Sequence, residues 1–226
     1  MIFTKKVLNH GFVHLVDMMG SDDRVLDAAR VSTGASSKGA EQDRKLIEYL
    51  MKNRHHTPFE KIVFEWHIKC PIFVARQWFR HRIGSFNEVS GRYKEFQFEA
   101  YYPDEWRSPG DTNHQGSVFG VLTDSEDLEL TKQLDFAYKT MKETYYNLLE
   151  LGAAKELARL VLPMGQYTEF YWTVNMRAFM NFISLRDDAH AQWEIQQYAK
   201  TMRNMVTKTN RIPLSWGAFE KHGYGA

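Results

Sequence analysis

The chain has 226 residues, 43% hydrophobic and 14% aromatic, which is enough for one substantial core and too apolar for a disordered chain. Its 29 Lys and Arg stand against 28 Asp and Glu, a formal net charge of +1, so no global field draws it onto nucleic acid or a membrane surface, and any anion site must be local. The lone Cys70 excludes an intrachain disulfide and any four-cysteine metal centre within the chain, and with no apolar leader or membrane-length apolar run a cytoplasmic protein is expected.

Residues 6–19 are strand-like, with Val7, Leu8, Phe12, Val13, Leu15 and Val16 interrupted at Gly11. Helices are expected over 22–31 and 41–51, the second carrying Leu46, Ile47, Leu50 and Met51 on one face. Over 61–69 the pattern alternates: Ile62, Phe64, Trp66 and Ile68 point one way, Lys61, Glu65, His67 and Lys69 the other, as in a half-buried strand. Pro71 suits the first turn of a helix running to about Arg80, which puts Arg76 and Gln77 on a surface shared with Arg80. Gly84 and the polar run 85–91 mark a loop, and 104–124, with turn signals at Pro109-Gly110-Asp111-Thr112-Asn113, a mobile excursion. Thr123 and Glu126 form a capping-box pattern ahead of a helix striped by Leu134, Tyr138, Met141, Tyr145 and Leu148 that stops near Gly152. A short helix around Leu157, a strand over 170–174, and helices over 176–186 and 191–207 complete the reading. Helices and strands mix without βαβ alternation, so the expected fold is α+β, one domain over 1–226 with a mixed, largely antiparallel sheet flanked by helices.

The densest polar stretch is Arg80-His81-Arg82-Ile83-Gly84-Ser85-Phe86-Asn87-Glu88-Val89-Ser90-Gly91-Arg92. Guanidinium groups bind phosphate through paired, charge-assisted hydrogen bonds, and serine hydroxyls with loop N–H groups complete such a cradle. A solvated basic loop is the plain alternative, but Asn87-Glu88 between serines and a glycine suits the orientation of a polar ring. A second constellation holds Asn175, Arg177, Asn181, Arg186, Asp187, Asp188 and His190. Here Arg186 near a helix end has an ordinary reading as a cap. His190 and Glu194 stand four apart, as metal ligands on a helix do, without a third ligand at matching spacing. Arg159, beside Leu160-Val161-Leu162, reads as one half of an ion pair, and the aromatic residues around 59–79 as core.

The loop matches the pattern R-H-R-x-x-S-x-N-E-x-S-x-R at all eight specified positions in thirteen, and so resembles the flavin-dependent thymidylate synthases. His55-x-Thr57-Pro58-Phe59-Glu60, the Pro71 to Phe79 lead-in, and the run from Asn181 through Arg186 to His190-Ala-Gln-Trp-Glu are similar to that family as well. The resemblance implies a homotetramer binding FAD, each site built from several subunits. It implies that dUMP and methylenetetrahydrofolate become dTMP and tetrahydrofolate, with NADPH reducing the flavin and no thiol adding to the uracil. By the same resemblance Gln77, Arg80, Glu88, Val89, Ser90, Gly91, Arg92, Arg159 and Arg186 bind dUMP. Arg186 is the catalytic candidate, set against the uracil to favour ionisation at N3. FAD falls to Ser32, His55, Thr57, Arg80, His81, Arg82, Glu88, Asn175, Arg177 and Asn181, with His190 a weaker candidate at the flavin edge. No metal, nucleic acid or membrane partner is implied. Two other classes compete on composition alone: a non-catalytic RNA-binding module using Arg80, Arg82 and Arg92, and a metal-dependent phosphohydrolase.

Overall fold

Apolar side chains at every second position of one strand, 62, 64, 66 and 68, are all fully buried, and the rest of the molecule is laid on that face. The computed structural model describes residues 3–34, 39–110 and 116–224; the turn signal at Asp111-Thr112-Asn113 lies outside them. A five-stranded sheet, every ladder antiparallel, has the order β1 (Phe3–Val7), β2 (Gly11–Met19), β3 (Val63–Pro71), β7 (Tyr167–Asn175), β4 (Ser85–Glu88). Onto one face pack α1 (Asp22–Arg30), α2 (Ala40–Lys52), α3 (Ile72–Trp78), α6 (Met176–Arg186), α7 (Trp193–Thr209) and α8 (Pro213–His222), giving one continuous core. Its centre is aromatic: Trp66, Trp78, Trp172, Phe170, Phe179 and Phe182 are all buried, each worth roughly 1.5–3 kcal/mol relative to exposure. The α+β expectation is met.

Four elements differ from the sequence reading. The stretch 6–19 is a hairpin, because the chain turns at Leu8, whose φ is 59°, before β2 starts. Gly11 allows this: a Cβ there would run into the Tyr198 hydroxyl and the Val7 carbonyl. The run 85–91 is not all loop, since Ser85–Glu88 pair with Phe170–Thr173 as an edge strand. The excursion 104–124 is anchored. Its two short strands β5 (Ser108–Pro109) and β6 (Ser117–Val118) pair, Trp106 donates to Asp127 and Thr131, and Arg107 is ion-paired with buried Glu194. The helix expected to reach Arg80 ends at Trp78.

The long α4 (Asp124–Glu150) begins with the capping box foreseen at Thr123 and Glu126, both reciprocal bonds being present. It leads to α5 (Lys155–Ala158) and a 3₁₀ turn over Arg159–Val161. Helix α8, unforeseen, is tied to α1 by Asp22, whose carboxylate accepts from the N–H groups of Leu214 and Ser215 at its first turn. No helix among the described residues is long and apolar enough to cross a membrane.

Candidate active site

The two polar stretches singled out in the sequence meet where β7 gives way to α6. A cavity of about 450 Å³ there is lined by Arg80, His81 and Arg82 from the turn after α3, and by Asn175, Arg177, Asn181 and Arg186 from the β7–α6 junction and α6. Asn175 caps α6, its Oδ1 accepting from the Ala178 N–H at 2.9 Å, so the positive end of that helix faces the cavity. Glu60, from the 3₁₀ turn Thr57–Lys61, holds Arg177 at 2.8 Å. Arg80, Arg82 and Arg186 have no carboxylate partner among the described residues, leaving a wall of uncompensated positive charge of the kind that recruits a polyanionic ligand.

Arg186 is the last residue of α6, yet its guanidinium leaves its own helix. Nε donates to His81 Nε2 at 3.0 Å, and Nη2 reaches the Gln77 carbonyl at 3.5 Å. The cap reading is therefore not what the side chain does. Because arginine only donates, His81 Nε2 must accept, which assigns the proton of that imidazole to Nδ1. Burial, reinforced by the Arg186 charge, lowers the His81 pKa to about 4, so the ring is neutral near pH 7. Burial and the neighbouring Arg80 likewise lower the Arg186 pKa from its ordinary value. A further cavity against Arg186 is bordered by Arg76, Gln77 and Arg80, which share a surface as their spacing predicts, and by Phe79. Gln77 is held there by Gln192, from the His190-Ala-Gln-Trp-Glu run.

The remaining nucleotide candidates lie at the opposite end of β4. Ser90 closes a turn, its Oγ accepting from the Arg92 N–H at 3.3 Å and its carbonyl from the N–H groups of Tyr93 and Lys94. Gly91 is needed there because a Cβ would strike the Phe96 ring and crowd the Arg159 side chain at 3.2 Å. Glu156 organises the cluster: its carboxylate holds Arg92 at 3.0 Å and its carbonyl accepts from Arg159 Nε at 3.3 Å. Arg159 thus stands beside Gly91 rather than in an ion pair. Glu88, at the end of β4, accepts from Thr168 Oγ1 at 2.7 Å, and Val89 N–H bonds the Glu169 carbonyl. Four residues of strand put about 13 Å between this cluster and the Arg80–Arg82 end.

Within one chain, then, the structure gathers Arg80, His81, Arg82, Asn175, Arg177, Asn181 and Arg186, gathers Glu88 to Arg92 with Arg159 separately, and does not join the two groups. Ser32, His55 and Thr57 are exposed and line neither. His190 is exposed and bonded to Asp188, whereas Glu194 is buried and committed to Arg107 and Tyr101, so the pair spaced four apart does not share a site.

The chain is similar to known proteins over nearly its whole length. The family model described as thymidylate synthase complementing protein matches residues 14–210. A flavin-dependent thymidylate synthase of Thermosipho africanus is 51% identical over 222 residues, covering 97% of this chain and 95% of its own. One of Thermus thermophilus is 48% identical over 219 residues, covering 97% and 79%. Among solved structures, a UMP/dUMP methylase, PolB, from Streptomyces cacaoi bound with 5-Br dUMP superposes with a TM-score of 0.85 at 36% identity, covering 97% of this chain and 99% of that one. A match of that extent, over a chain whose arginine-rich turn and β7–α6 junction already face one another, identifies it as a member of the flavin-dependent thymidylate synthase family.

Proposed function

We propose that the chain methylates dUMP to dTMP, taking the carbon from methylenetetrahydrofolate and using FAD, reduced by NADPH, as the hydride source. The observation that carries this reading is the cavity in which Arg80, Arg82 and Arg186 have no carboxylate partner among the described residues while a helix N-terminus opens into it. Such a wall fits the pyrophosphate of a dinucleotide, and a volume of about 450 Å³ is that of a ligand pocket. Arg80, Arg82 and Arg177 would hold the phosphates. Asn181 and the Asn175 amide N–H₂, not used by the cap, would meet polar ring edges. FAD held there would supply the hydride that brings the transferred one-carbon unit from the methylene to the methyl level, and no thiol nucleophile would be needed.

What the chain itself contributes is electrostatic. Neutral His81 accepts Arg186 Nε–H and so aims the guanidinium without adding charge. Set against a uracil, that cation stabilises the ring ionised at N3 and enriches it for attack on the one-carbon unit. In this reading Ser90, Gly91, Arg92 and Arg159 hold the nucleotide phosphate. Because they lie at the far end of β4 from Arg186, a second copy of the chain completes each site, as in a homotetramer. Exposed Leu157 and Leu160, next to Arg159 in the chain, favour such packing.

The test is direct. The purified protein should carry flavin absorbance and convert dUMP to dTMP with methylenetetrahydrofolate and NADPH; a colourless protein with no product would sink the reading. UMP belongs in the same assay, because the Streptomyces cacaoi neighbour is named for both nucleotides.

Two milder results follow. Ser90→Ala removes one hydrogen bond to a charged group, worth roughly 1.5–3 kcal/mol, so kcat/KM for dUMP should fall about ten- to hundredfold with turnover retained. A complete block with dUMP binding intact would instead point to a covalent serine. Cys70 is fully buried on β3, and burial pushes its thiol pKa well up, so Cys70→Ala should keep most activity at a stability cost of roughly 1 kcal/mol. Loss of dTMP formation in a folded, flavin-loaded Cys70→Ala protein would contradict a thiol-free route.

A further inference from the structure

The segment following α8 turns at Gly223, whose φ is 68°, and carries Tyr224 to the wall of the arginine-lined cavity. The Tyr224 ring stacks on His56 at 4.8 Å and 30°, and its hydroxyl lies against Arg177, helping to hold that guanidinium charged. Beyond it lies a second cavity, of about 650 Å³, bordered by Ser184, His190 and His222. Among the described residues only Asn181, Leu185, Arg186 and Tyr224 line both, so Tyr224 stands at their junction.

Two features separate this ring from a tail simply packed on the core. Ile83 and Leu185, which share the first cavity with it, are 72% and 53% exposed, so the junction has apolar walls with nothing against them beside a cationic rim. Two imidazole nitrogens are also buried without a hydrogen-bond partner among the described residues: His56 Nε2 under the ring, and His222 Nε2 at the wall of the second cavity. Exposed apolar walls, the unmet His222 nitrogen and uncompensated arginines together suit a ligand that is part planar ring and part polyanion.

We propose that Tyr224 is a cofactor-binding residue, the aromatic wall on which a planar heteroaromatic ring of the bound dinucleotide, adenine or isoalloxazine, packs where the two cavities join. This rests on the flavin reading above. A ring pre-stacked on His56 is already fixed in orientation, so little side-chain freedom remains to be lost when the ligand arrives.

The full chain, stripped of flavin and titrated with FAD by fluorescence quenching, tests this alongside a melting curve recorded without flavin. Stacking on an aromatic side chain sets the scale, so Tyr224→Leu, which keeps apolar bulk, and Tyr224→Ala should each weaken FAD binding about tenfold. Tyr224→Phe should stay within about threefold of wild type, and the flavin-free melting temperature of Tyr224→Leu should hardly move, because stacking and not the fold is what the variant loses. Separate titrations with ADP and FMN assign the ring: loss of ADP binding in Tyr224→Leu names adenine, loss of FMN binding names isoalloxazine. FAD affinity unchanged in both Tyr224→Leu and Tyr224→Ala overturns the proposal, as does a Tyr224→Phe protein as weak as Tyr224→Leu. Failure of the wild type to take up FAD would overturn the flavin reading instead, and is seen before any variant is made.

Discussion

Arg186→Lys should lower the single-turnover rate of dUMP methylation about 10²–10³-fold, the usual cost of removing a group aimed at a developing anion in a dry site. Lysine keeps the charge but loses the planar fork and the Nε–H that His81 accepts, so the loss reports geometry rather than net charge. The melting temperature should stay close to that of the wild type. Arg186 is half-buried, has no carboxylate partner among the described residues and sits near a second guanidinium, Arg80, an arrangement that costs stability rather than adding it. NADPH-driven flavin reduction, which does not involve uracil, should persist. Three measurements therefore check one residue: flavin reoxidation by dUMP and methylenetetrahydrofolate, flavin reduction by NADPH, and the melting curve. Near-wild-type reoxidation by Arg186→Lys or Arg186→Ala would return this side chain to a structural part.

The second large effect comes from the two ends of β4. In the proposed arrangement Arg186→Ala removes the uracil end of the site, and the double variant Arg92→Ala/Arg159→Ala the phosphate end, each expected to lose at least about a hundredfold at low dUMP. If each site takes its Arg186 and its Arg159 from different copies, hybrids formed by co-expression regain sites with both halves intact. Random mixing at equal amounts puts an intact pair in about a quarter of sites, so activity should return to roughly a quarter of wild type. Purified hybrids no more active than their parents would place both ends in one chain. The geometry favours recovery, because no described cavity is lined by residues of both clusters.

Much of this was legible in the sequence where local chemistry decides the outcome. The capping box at Thr123 needs only residues three apart, and the β3 alternation reads directly as burial because one sheet face is covered along its whole length. The R-H-R loop announced its residues, but not that β4 would pull them apart. Ser85-Phe86-Asn87-Glu88 is an edge strand with one apolar side chain, and its pairing comes from β7, some eighty residues away, so nothing local marks it. The hairpin at Leu8 lacks the Gly and Asn dipeptides that signal tight turns. Glu156 and Tyr224 escaped for the same reason: each matters through a partner that only the tertiary fold supplies.

The sealed position of Cys70 has a practical consequence. With the only thiol of the chain buried where β3 runs into α3, the surface offers nothing for an electrophilic dye or spin label to attack. One cysteine introduced at exposed Lys139 on α4 would thus be the sole labelled position in each copy, without first removing a native cysteine. Distances between such labels would report how the copies are arranged in solution, in a protein still carrying every side chain of its proposed chemistry toward dUMP.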